Sequence, residues 1–174
     1  MLKIIAIVVA VLIAALLAYA ATRPDSFKVQ RSALIKAPPE KVFALVSDLR
    51  AFNTWNPWAR KEPELKGSYS GPSSGKGAAY AWEGKKVGSG RMEIDEVLPP
   101  SRMTMKLEFI KPMQTTSVAE FTLVPQGDAT GLTWAMSGPS PYISKLMGVF
   151  FNMDTMIGKD FEDGLANLKQ LAEK

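Results

Sequence analysis

The chain has 174 residues, enough for one domain of ordinary size and a short extra segment. Its 47% hydrophobic and 22% charged residues are those of a folded protein. The formal charge of +4 is mild, and basic and acidic residues alternate, so no nucleic-acid-binding stripe is expected from doublets as small as Arg60-Lys61 and Lys85-Lys86.

Histidine and cysteine are both absent. That removes His-activated serine chemistry, thiol chemistry, disulfides and most metal sites. The spacing of Asp and Glu shows no calcium-type cage, so no metal and no cofactor are expected.

From Ile4 to Ala21 every residue is apolar or tyrosine, with Lys3 before and Thr22-Arg23-Pro24-Asp25 after. Eighteen helical residues span about 27 Å, close to the bilayer hydrocarbon thickness. Residues 1–22 read as a transmembrane signal anchor. The alternative is a signal peptide cut after Ala18-Tyr19-Ala20, which fits the small-x-small rule. Either reading places the following domain on the exported side of a membrane, single-pass in the first case. A linker over 23–26 leads to a globular domain over 27–174.

The domain opens with a strand, Phe27–Lys36, alternating in period two. Ala37-Pro38-Pro39-Glu40 starts a helix whose stripe is Val42, Phe43, Leu45, Val46 and Leu49. A second short helix over Leu49–Thr54 leads into Trp55-Asn56-Pro57-Trp58. Turn signals every ten residues or so then separate Gly67–Ser70, Gly77–Glu83, Gly88–Val97, Ser101–Ile110, Thr115–Val124 and Gly131–Ser137. That spacing predicts a meandering antiparallel sheet. Pro139 and Pro141 interrupt the chain before an amphipathic helix over 154–173. The expected class is α+β: a curved seven-stranded antiparallel sheet wrapped on a long C-terminal helix.

Ala37-Pro38-Pro39-Glu40-Lys41-Val42-Phe43, Trp55-Asn56-Pro57-Trp58, Tyr80-Ala81-Trp82-Glu83-Gly84 and Gly88–Ile94 occur in an order that resembles a known family. Leu107-Glu108-Phe109, Thr133–Met136 and Gly158–Leu165 extend it over 27–174. The chain resembles the polyketide cyclase/dehydrase-like branch of the SRPBCC superfamily. That is the helix-grip fold of START lipid-transfer domains and the birch-pollen allergen. The resemblance implies a cavity between sheet and terminal helix. It does not fix a function, since the superfamily hosts carriers, cyclases, receptors and chaperone regulators.

On the helix, Met153, Met156, Ile157, Phe161 and Leu165 form the expected cavity wall. Facing them are the i, i+2 pairs Met92 and Ile94, Met105 and Leu107, Phe121 and Leu123, and Trp134 and Met136. Nine methionines suit a pocket that tolerates varied apolar shapes, although the same residues would also pack a solid core. Trp55 and Trp58 are either a lid at the mouth or a plug of the helix-to-strand junction.

Only one of Trp82 and Glu83 can face inward. An inward Glu83 would hold a polar head or act as acid/base; an inward Trp82 leaves Glu83 a surface charge. Arg91, Glu93 and Asp95 share one face and read as a solvated outer surface. The leading expectation is a membrane-tethered binder or carrier of a lipid-like or aromatic small molecule. A cyclase/dehydratase-type enzyme is the alternative, with Tyr80, Glu83 and Arg91 its candidate catalytic residues. A protein-interaction module is the third.

Overall fold

The computed structural model describes residues 1–174. Helix α1 (Leu2–Ala21) is long and apolar enough to cross a membrane, by length and composition. Strand β1 (Ser26–Ile35) follows after four residues, and then come three short helices.

Each short helix has a local cause. Pro39 stands in the first turn of α2 (Pro39–Ser47), where its missing N–H costs nothing. Asp48 caps α3 (Leu49–Trp55), its carboxylate accepting from the N–H groups of Arg50 and Ala51. Asn56 caps α4 (Pro57–Lys61), accepting from Trp58 N–H with Pro57 at the first helical position. The junction expected between the second short helix and the first sheet strand after it therefore contains a third helix.

Strands β2 (Lys66–Ser70), β3 (Ala79–Glu83), β4 (Ser89–Leu98), β5 (Arg102–Lys111), β6 (Thr115–Gln126) and β7 (Ala129–Pro139) form a meander. The seven-stranded antiparallel sheet has the order β1-β7-β6-β5-β4-β3-β2. Its inner face alternates in period two: Met92 and Ile94 on β4, Met103 and Met105 on β5, Phe121 and Leu123 on β6, and Leu132 and Trp134 on β7 are buried.

A second difference from the sequence reading follows β7. The chain forms a separate helix α5 (Tyr142–Phe150) before α6 (Met153–Ala172), which Asn152 caps by accepting from Thr155 N–H. Helix α6 lies along β1. Arg31 on β1 fixes it, with Nε on Glu162 Oε1 at 2.8 Å and Nη2 on Asp154 Oδ2 at 3.0 Å. The guanidinium passes Gly158, where any Cβ would run into it. At the far end Lys169 Nζ donates to Leu34 O, and Glu173 accepts from Lys36 N–H.

Between sheet and helices the core centres on aromatic rings. Trp134 stacks on Phe161 of α6, with ring centroids 4.0 Å apart, and on Phe121 at 5.1 Å, and makes edge contacts with Phe52, Trp55 and Trp58. Trp55 is fully buried, its Nε1 donating to Leu45 O at 2.9 Å.

Candidate functional site

A cavity lies beside this aromatic cluster, enclosed by α3, α4 and the inner faces of β3 to β7. Its deep wall is Tyr80, Met92, Met105, Leu107, Ala119 and Trp134. Phe52, Asn56, Trp58 and Ala59 cover it from the helices. Leu65, Trp82, Val87 and Phe109 are the half-exposed residues at one end.

The space open to the centre of a water-sized sphere is about 120 Å³. An engineered cavity of about 150 Å³ holds benzene, so the cavity as it stands fits one aromatic ring or a short hydrocarbon. Thirteen of its fourteen lining residues are hydrophobic. The exception, Asn56, has its oxygen committed to Trp58 N–H and its amide nitrogen to Asn53.

Two of the wall residues carry a polar atom without a protein partner. Trp134 Nε1 is the one fully buried side-chain polar atom without a hydrogen bond. An orphan donor in an apolar interior costs about 1–3 kcal/mol. Tyr80 is the only ionisable side chain on the wall, and its hydroxyl makes no hydrogen bond in the protein. Burial, with a smaller contribution from Tyr69, pushes its pKa above 10.0. The phenol is therefore protonated at neutral pH, a donor rather than a base.

The expected site residues divide into three groups. Trp58, Tyr80, Trp82, Met92, Met105, Leu107 and Trp134 are on the wall. Trp55, Ile94, Phe121, Leu123, Met136 and Phe161 are buried but pack the surrounding core. Met153 and Met156 are exposed and Ile157 is half-buried, so the first turns of α6 contribute nothing to the cavity. The reason is the stack of Trp134 on Phe161, which fills the space under α6 and displaces the void toward α3 and α4.

The three candidate catalytic residues do not converge. Trp82 takes the inward position on β3 beside Tyr80, which leaves Glu83 exposed. Arg91 points outward and pairs with Glu93 at 2.5 Å. Among the wall residues that sequence reasoning missed, Phe109 and Ala119 were reachable by extending the period-two pairs by one step. Phe52 lies one turn before Trp55. Leu65 and Val87, in irregular segments, carried no signal.

One charged group holds the half-exposed end together. Glu62 is buried and accepts from the backbone N–H of Lys85 at 2.6 Å, Lys86 at 3.0 Å and Val87 at 3.1 Å. It thereby pins the β3–β4 loop, in which Gly88 adopts the left-handed φ of +70° that favours glycine. The Lys85 and Val87 amides, opposed only by burial, hold the Glu62 carboxyl below its ordinary 4.5.

A depressed carboxyl contributes stability that is fully present above the unfolded pKa and lost as pH falls through the folded one. Glu62→Gln should therefore speed amide exchange at Lys85, Lys86 and Val87 at neutral pH. The native protein should show the same acceleration only well below pH 4.5. Unchanged exchange in the variant would mean the loop is held by other contacts.

A curved antiparallel sheet gripping a long terminal helix, with an apolar cavity beside their contact, defines a helix-grip protein. The chain belongs to the family described as polyketide cyclase / dehydrase and lipid transport, whose model matches residues 26–173. Similar solved structures include a protein from Chromobacterium violaceum, 17% identical, with TM-score 0.62 over 87% of this chain and 99% of that one. A Mesorhizobium loti protein is 18% identical, with TM-score 0.62 over 83% and 96%. Ara h 8.0201, an allergen of the Bet v 1 type, is 9% identical with TM-score 0.58 over 84% and 97%. At these identities the likeness concerns the fold. No curated protein matches the sequence.

Proposed function

We propose that the protein is a membrane-tethered binder or carrier of a small hydrophobic molecule bearing at least one hydrogen-bond acceptor. The observation that carries this reading is the wall itself. It is apolar almost throughout, and the Tyr80 hydroxyl, a donor at neutral pH, has no partner in the protein. A ligand carbonyl, ether or hydroxyl would satisfy a donor that the empty protein leaves unpaired. The family description, which includes lipid transport, agrees with it. Helix α1 supplies the tether.

The wall gives less support to cyclase or dehydratase chemistry. Tyr80 is its sole ionisable group, and the ionisable side chain beside it, Tyr69, is a second phenol outside the wall. Native mass spectrometry of the full chain, taken from its own membrane in detergent-free polymer discs, tests the reading. The expected result is a retained apolar molecule carrying oxygen. Absence of any retained molecule, together with no saturable uptake of an apolar fluorescent probe, would overturn it.

A further inference from the structure

Helix α5 is placed oddly for a soluble protein. Ile143, Met147 and Phe150 recur at i, i+4 and i+7, yet this apolar stripe is exposed, with Phe150 at 67%. Its only charged residue, Lys145, is turned away and paired with Asp25 at 2.5 Å. Beyond α5, Phe151, Met153 and Met156 are exposed as well. A soluble domain rarely leaves so contiguous an apolar surface uncovered.

What covers it is indicated by α1. The two helices pack together, and the Tyr142 hydroxyl donates to Leu17 O at 2.9 Å. Leu17 lies four residues before the end of α1, about 6 Å inside at 1.5 Å per residue. Interfacial helices sit at a comparable depth, about 5–10 Å into the boundary between headgroups and acyl chains. Only four residues separate α1 from β1, so the sheet cannot stand off from the bilayer by more than roughly 15 Å.

The antiparallel register places other features at this same end of the sheet. The start of β1 pairs with the end of β7, and the β5–β6 and β3–β4 turns lie on that side. The β5–β6 turn exposes Ile110 and Met113. Lys85, Lys86 and Lys111 are exposed there without ion pairs, suited to anionic headgroups. Trp82, Val87 and Phe109, half-exposed residues of the cavity wall, lie at this end too.

We propose that the α5 face and the β5–β6 turn rest in the interface of the bilayer that α1 spans, with the cavity mouth against the lipid. A hydrophobic ligand would then pass between membrane and cavity without crossing water. This rests on the reading of α1 as a membrane span, and the test separates the two.

The chain has no cysteine, so a single introduced one can be labelled uniquely with an environment-sensitive fluorophore. The full chain is reconstituted into phosphatidylcholine–phosphatidylglycerol vesicles with brominated acyl chains. Labels go to Leu12→Cys in α1, Phe150→Cys in α5, Met113→Cys in the β5–β6 turn and Leu98→Cys at the opposite end of the sheet. The expected result is strong quenching and blue-shifted emission at Leu12, Phe150 and Met113, with a water-like, unquenched signal at Leu98. Quenching at Leu12 with Phe150 and Met113 resembling Leu98 would overturn the docking and leave the tether standing. A water-like signal at Leu12 would overturn both.

Discussion

Trp134→Ala should lower the melting temperature by roughly 10–15 °C, the largest stability effect expected of any single truncation in the domain. Trp134 stacks on Phe161 and touches Phe52, Trp55, Trp58 and Phe121, so its removal leaves five aromatic partners without a centre. Truncating a buried tryptophan typically costs about 3–5 kcal/mol, against a total of about 5–15 kcal/mol for a domain. A thermal melt followed by near-ultraviolet circular dichroism measures it. A drop of only a few degrees would mean that the cluster relaxes around the void, and the cavity beside it would then be soft.

Ala119→Phe should abolish ligand binding while leaving the fold almost untouched. Ala119 is 2% exposed on the cavity wall, between Met105 on β5 and Met136 on β7. A phenyl ring there occupies the space that a one-ring ligand would take. Uptake of an apolar probe should weaken at least tenfold, about 1.4 kcal/mol. Stability should change by less than about 1.5 kcal/mol, because the volume is already empty. Met136→Trp is the contrast: Met136 packs the core outside the cavity, where added bulk costs about 1–3 kcal/mol. If Ala119→Phe destabilises as much as Met136→Trp, or leaves probe binding intact, the cavity is not the binding site.

The strands and the terminal helix were legible because their signals are local. Period-two alternation and regularly spaced turn residues marked all seven strands to within about two residues. The stripe Phe161, Leu165, Leu168 marked the buried face of α6. Helix α4 was missed although Asn56-Pro57 is a standard start, a side-chain cap followed by proline at the first helical position. The break between α5 and α6 was hidden because only Asn152, the cap of α6, interrupts an apolar stretch from Val149 to Met153.

The strand side of the cavity was legible, through Tyr80, Trp82, Met92, Met105, Leu107 and Trp134, but the elements that close it were not. Pattern reveals which face of a strand is apolar, but not which apolar side chains meet across the space. Here Trp134 of β7 stacks on Phe161 of α6, a contact made only by tertiary folding, which closes one side and leaves the other open. The outward position of Glu83, by contrast, followed once Trp82 was inside.

The way α6 lies along β1 bears on how copies of this protein coexist. A strand at the margin of a sheet is a template on which another chain can add, and copies would meet far more often if α1 confines them to one bilayer than in free solution. Here side chains of α6 already occupy backbone groups at the far end of that margin, at Leu34 and just beyond it at Lys36, and Arg31 bolts the helix over its middle. The other margin, β2, is only five residues long and begins with a lysine. Crowding on a surface would thus concentrate the domains without zipping their sheets into one another.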